Sequence, residues 1–266
     1  MTNALLAVEG GGDGFTAPGP GIFELPPIFE IGAFGFTKSM AIILLSVVVI
    51  FVAFYATARA AEMVPGKLQF AGESAYGFVR NGIGLETIGK AGLPFVPFLA
   101  TLFFFISFNN LAGIIPMLQL PATGRIAYPL VLALLVWFVY LYVGMKRAGV
   151  FGYFREMMFP PGIPWPVYIL LAPIELLSNV IVRPVTLCLR LTLNMFAGHL
   201  VLVLFILGGE YLLLDYGGIV GVLSGSVTLV GSIIFTFFKA FIMLLQAYVF
   251  TLLAALFIGG AMVDEH

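Results

Sequence analysis

The stretch Pro184 to Leu200, PVTLCLRLTLNMFAGHL, holds Arg190 in the middle of an apolar run, with Asn194 one helical turn later and His199 beyond it. A guanidinium keeps its charge in any protein setting. At bilayer depth that charge is costly, so it faces a polar cavity or a partner of opposite sign. Snorkelling to the interface does not serve here, because about a dozen mainly apolar residues flank Arg190 on either side. At roughly 100° per residue, Arg183, Arg190, Asn194 and Ala197 fall on one stripe of a helix, and His199 points to the opposite side. One helix thus offers a cationic stripe to one neighbour and a titratable imidazole to another. The chemistry available is charge stabilisation on one face and proton transfer on the other. Further polar groups lie within apolar runs: Glu175 upstream, and Lys239 and Gln246 downstream, the last two seven residues apart and so on one helix face.

The elements that position these groups belong to a membrane. The chain has 266 residues, of which 61% are hydrophobic and 9% charged, with a mean hydropathy of +1.12. Such a composition predicts an all-α polytopic membrane protein rather than a soluble domain. A net charge of -1 provides no basic field for nucleic acid. The single Cys188 excludes an internal disulfide and a cysteine-based metal cluster and reads as a small packing residue. Two histidines are too few for a His-rich metal site, no G-x-x-x-x-G-K-[ST] phosphate loop occurs, and no cofactor is expected.

In chain order, residues 1–36 carry Glu9, Asp13, Glu24 and Glu30 but no Lys or Arg, and their GGGDG, PGPG and Pro26-Pro27 runs read as irregular backbone. No basic region precedes a long apolar core there, so a cleavable signal peptide is not expected. This part is read as an N-terminal outer segment, and 37–266 as a single membrane-embedded domain. A first span runs from about Ser39 to Ala61; Arg59, Lys67, Arg80 and Lys90 follow and predict a cytoplasmic linker, with the N-terminus outside. Leu68, Ala71, Ala75, Phe78 and Val79 recur at helical spacing in that linker, as in a helix lying on the membrane surface; Gly72, Gly77, Gly82 and Gly84 equally suit a solvated loop. A second span covers about Pro94 to Pro116. Its Asn109 and Asn110 serve either as interhelical hydrogen-bond glue or as the lining of a wet path. Gln119 to Tyr128 is expected as an outer loop. A third span, about Pro129 to Gly144, precedes the basic Lys146, Arg147 and Arg155. The connector MMFPPGIPWP follows, with Trp165 as an interface anchor.

The last third is unlike ordinary spans. From about Val167 to Leu214, and again from about Ile219 to Met262, the chain stays apolar for more than forty residues. At ~1.5 Å per residue each run is over ~60 Å long, about twice the hydrocarbon thickness. Either each run breaks, at Pro173, Pro184 or Gly231, or the two form a long, steeply tilted hairpin turning at Tyr216-Gly217-Gly218. Folding about Gly217-Gly218 brings Arg190 opposite Gln246 and His199 opposite Lys239, four polar residues paired in one register. The expected total is about five membrane-embedded helices plus the surface helix.

PVTLCLRLTLNMFAGHL, with its R-x-x-x-N-x-x-x-G pattern, the later LLQAYVF, the end VDEH, and FNNLAGIIP in the second span together resemble subunit a of the rotary F-type ATP synthases, over nearly the whole chain from the first span onwards. The resemblance implies that Arg190 is the arginine facing a ring of c subunits between two aqueous half-channels, with Asn194 and Gln246 beside it. It implies that Asn110 and His199 line the outer half-channel and that Glu175 is the acid of the inner one, set one residue further from Arg190 than in the common pattern. Lys239 stands where such chains more often have a histidine or carboxylate, and Gly113 where some have an acid. Implied partners are the c-ring, the peripheral-stalk b subunits and the rest of the synthase, in the cell inner (plasma) membrane with the C-terminus cytoplasmic. The implied role is H⁺ translocation, without ATP hydrolysis by this chain itself.

Two other classes fit less well. A secondary transporter would show repeated halves around a midplane site, and no internal repeat is visible. An intramembrane hydrolase using Glu175 and His199 would need them convergent, but along one straight helix they stand ~36 Å apart.

Overall fold

The computed structural model describes residue 19 and residues 29–31, 34–59, 66–115, 122–159, 165–216 and 218–262. Among them are five helical stretches long and apolar enough to cross a membrane: Lys38–Arg59, Lys90–Ala112, Ala127–Ala148, Val167–Leu214 and Gly218–Met262. In lipid, no water satisfies an exposed peptide group, so an apolar run closes its hydrogen bonds on itself as a helix.

The elements in order are a short antiparallel hairpin, β1 (Phe29–Ile31) and β2 (Phe34–Phe36); α1 (Lys38–Arg59); α2 (Lys67–Val79), continued by a π-helical turn over Arg80–Leu85; a 3₁₀ segment over Lys90–Phe95 leading into α3 (Val96–Ala112); α4 (Ala127–Ala148); α5 (Val150–Met158); α6 (Trp165–Leu177), a second π turn over Ser178–Val182, and α7 (Arg183–Leu214); and α8 (Gly218–Met262). The hairpin was not expected, since the glycine and proline runs around it read as irregular backbone. The linker forms a helix rather than a loop, but Leu68 and Phe78 stay exposed while Val79 is buried. The third span extends to Ala148 and takes Lys146 and Arg147 into its last turn. Residues 1–18, 20–28, 32–33, 60–65, 116–121, 160–164 and 263–266, including most of the acidic N-terminal segment and the VDEH end, lie outside the described residues, as does Gly217.

Of the two alternatives for the long runs, the unbroken one holds. Pro173 sits inside α6 without ending it, the π turn carries the helix past Pro184, and α8 passes through Gly231 as a single 45-residue helix. At ~1.5 Å per residue α8 is about 68 Å long and cannot stand upright in a ~30 Å hydrocarbon layer.

The chain forms two compact units. One comprises Met1–Ser46, Ser107–Arg125 and Leu193–Leu245; the other comprises Val47–Ile106, Ile126–Thr192 and Gln246–His266. In the first, α7 and α8 run antiparallel at close range along glycines. A Cβ on Gly225 would come within 2.6 Å of Leu213 Cγ, and one on Gly221 within 2.6 Å of the Leu212 carbonyl oxygen. Phe205 stacks on Phe235 at 5.7 Å between centroids. In lipid, apolar burial gives helices little reason to associate, so close backbone approach across small residues supplies the van der Waals contact that does.

The second unit holds the apolar core. Val79 and Ile83, Leu99 and Ile106 of α3, Val136 and Tyr140 of α4, Leu187 and Leu191 of α7, and Ala247, Phe250, Ala254 and Ile258 of α8 are all fully or almost fully buried. The α8 members recur at helical spacing, and their alanines let the neighbouring helices approach. Below α4, the ring of Tyr153 lies on Gly144, and Arg147 pairs with Glu156 across the α4–α5 turn.

Candidate functional site

The seven residues singled out from the sequence fall four in one unit and three in the other. Asn110, Asn194, His199 and Lys239 belong to the first unit, and Glu175, Arg190 and Gln246 to the second.

In the first unit, Lys239 of α8 lays its stem along α7 at the residue before His199: a Cβ on Gly198 would lie 3.5 Å from Lys239 Cε. This is the register expected from folding about Gly217-Gly218. It continues towards the turn, where Gly209 meets Leu229 and Gly221 meets the Leu212 carbonyl. His199 is 6% exposed and Lys239 3%, so two basic side chains lie close together out of solvent. Asn110 is completely buried; its Nδ2 donates to the Met243 carbonyl at 3.3 Å, and its Oδ1 accepts from Thr123 Oγ1 at 2.7 Å. Met243 is one helical turn beyond Lys239, so Asn110 joins the same polar neighbourhood from α3. Asn109 donates through Nδ2 to Ser46 Oγ at 3.0 Å, which ties α3 to α1. Both neighbouring amides make interhelical bonds, Asn109 to α1 and Asn110 to α8. Asn194 is half-buried on the same α7.

In the second unit, Arg190 is exposed, along with Thr186 and Leu189 beside it, while Leu187, Cys188 and Leu191 of the same turns are buried in the core. Among the described residues the one ion pair is Arg147–Glu156, so Arg190 has no acidic partner there. Arg183 keeps the expected stripe of α7 but not the exposure of Arg190: its guanidinium lies 4.9 Å from the centroid of the Phe257 ring, a cation–π contact. Gln246 is buried on α8.

Glu175 is half-buried near the end of α6 and is held by a residue that the sequence reading passed over. Asn179 Nδ2 donates to the Glu175 carbonyl at 2.8 Å and to its Oε2 at 3.1 Å. Tyr140 of α4 donates its hydroxyl to the Asn179 carbonyl. The i, i+4 spacing of Glu175 and Asn179 was available in the sequence as a signal; Tyr140, 39 residues away, left none. A π turn lies between Glu175 and Arg190. An i→i+5 turn takes up one extra residue, and the fourteen remaining steps bring Glu175 within roughly 40° of the Arg190 face.

Residues 39–259 match the family model described as ATP synthase A chain. The chain is 46% identical to an ATP synthase subunit a of a Nocardioides species over 96% of both chains. It is 47% identical to that of Pseudarthrobacter chlorophenolicus over 95% of both, and 41% identical to that of Streptomyces lividans over 96% of this chain and 90% of the other.

Proposed function

The chain belongs to the family of ATP synthase A chains, and on that premise we propose that it is the membrane subunit against which a ring of c subunits turns, passing protons through two offset half-channels. The observation that carries this reading is the exposed Arg190, a permanent cation in an apolar helix with no acidic partner among the described residues. In this reading its counter-charge is the rotor carboxylate.

A rotor carboxylate must be neutral to travel through lipid, because desolvation penalises its charged form. Meeting Arg190 stabilises the ionised form, and the proton leaves by one water path. Past Arg190 the carboxylate is reprotonated, and so neutralised, from the other path, and the fixed cation repels any proton moving directly between them. Each charge moved across the membrane releases about 2.3 kcal/mol per 100 mV, which drives rotation. In this assignment Asn110, His199 and Lys239 serve the outer path, Glu175 serves the inner path, and Asn194 and Gln246 stand beside Arg190. The buried pair of bases supports the outer assignment, since neutral imidazole both accepts and donates.

The same reading sets the chain in the cell inner (plasma) membrane, N-terminus outside and C-terminus cytoplasmic, with 37–266 acting as one membrane domain. Its partners are the c-ring and the peripheral-stalk b subunits, and its role is translocation of H⁺ rather than ATP chemistry of its own. Mild purification of the native complex tests this. Co-purification of a ring of small hairpin subunits is expected; a chain that transports ions without such a ring would overturn the proposal.

A further inference from the structure

The π turn over Ser178–Val182 leaves the Asn179 carbonyl short of a backbone donor. In an α-helix the Asn179 carbonyl would accept from the N–H of residue 183, but the Arg183 N–H donates instead to Ser178, five residues back. In a π-helix the same carbonyl would accept from residue 184, and Pro184 has no N–H. Tyr140 supplies the missing donor through its hydroxyl. Both residues are out of solvent, Tyr140 at 1% exposure and Asn179 at 6%, so an orphaned carbonyl at this place would be costly. Tyr140 is itself braced by Phe257, at 5.8 Å between centroids, whose ring also carries Arg183.

The side chain of Asn179 points back one turn and donates to Glu175 Oε2, and no hydrogen bond to Oε1 is found among the described residues. We propose that Asn179 and Tyr140 are positioning residues for the Glu175 carboxylate: Tyr140 pins the π turn, and Asn179, carried on that turn, holds the carboxylate in one orientation. This rests on the reading of Glu175 as the acid of the inner path. Neither residue carries the proton. Asn179 selects the oxygen that does, and Tyr140 fixes the backbone from which Asn179 reaches it.

The test uses the assembled complex in vesicles, at equal amounts of complex, with ATP-driven proton pumping followed over a range of pH. Asn179→Leu removes a hydrogen bond to a carboxylate and is expected to slow pumping about tenfold. Asn179→Gln, which keeps the amide, recovers part of that loss. Tyr140→Phe, which deletes only the hydroxyl oxygen, slows pumping several-fold and alters its pH profile. Combining Asn179→Leu with Glu175→Gln is no slower than Glu175→Gln alone, because both act through one carboxylate. Normal pumping in both Asn179→Leu and Tyr140→Phe, alongside slow pumping in Glu175→Gln, would overturn the positioning role only. So would losses that multiply in the double variant. Normal pumping in Glu175→Gln would instead remove the inner-path reading on which the role rests.

Discussion

Asn110 donates to the carbonyl of Met243 at 3.3 Å, joining α3 to α8 one turn beyond the buried Lys239. The same side chain accepts from Thr123, so its amide is used at both ends. Replacing it with Leu leaves the buried Thr123 hydroxyl short of its acceptor, while the Met243 carbonyl keeps the backbone bond it makes within α8. A loss of about 1–3 kcal/mol in local stability is expected, together with slower proton uptake. Asn110→Gln, which keeps an amide, should pump faster than Asn110→Leu. Equal pumping by wild type and Asn110→Leu would remove Asn110 from the outer path.

Arg190→Ala is expected to abolish proton-driven ATP synthesis and to permit passive leak, since nothing then discharges the rotor carboxylate or separates the paths. Arg190→Lys should rescue poorly, because an ammonium in an apolar setting can lose its proton where a guanidinium keeps it. Vesicles energised by an imposed gradient provide the assay, and near-normal synthesis in Arg190→Ala would reject the role.

The Lys239 stem lies beside Gly198, the residue before the buried His199, so a change at one base is expected to be felt at the other. Lys239→Met should change the pH dependence of proton uptake, whereas His199→Met should lower flux at every pH. An unmoved profile in Lys239→Met would reduce Lys239 to a packing residue whose stem fills the space beside Gly198.

The close approach at the α7–α8 turn predicts a stability effect without any chemistry. A Cβ on Gly221 would meet a backbone oxygen at 2.6 Å, and the helix cannot yield there as a flexible side chain could. Gly221→Leu should therefore cost about 1–3 kcal/mol and lower the thermal midpoint of the complex. Gly77→Leu, at a position open to 4 Å, is the matched control and should change it little.

Topology is tested by labelling. In a Cys188→Ser background, Asp13→Cys should react from outside and Lys146→Cys only from the cytoplasmic side, given the bias of basic residues towards the linkers after the first and third spans. Reaction of both from the same side would contradict the orientation.

What the sequence by itself determined follows from the solvent it was written for. Runs that must close their own hydrogen bonds in lipid are helices, so five spans and two overlong arms could be read from hydropathy and length. The cost of a charge in lipid marked Arg190, and folding about Gly217-Gly218 set a hairpin register that pairs Lys239 with His199; the structure lays the Lys239 stem beside Gly198, the residue before it. Only the tertiary structure decided which cation turns outward. Arg183 and Arg190 share a helix stripe, yet Arg183 lies over Phe257 from α8 while Arg190 stays exposed. In a membrane protein the lipid-facing and protein-facing positions are both apolar, so periodicity does not separate them as it does in water. The support of Glu175 shows the same limit. Its bond to Asn179 is local and legible at four residues' spacing, but the hydroxyl that completes the π turn comes from Tyr140 on another helix, and chain packing alone brings it there.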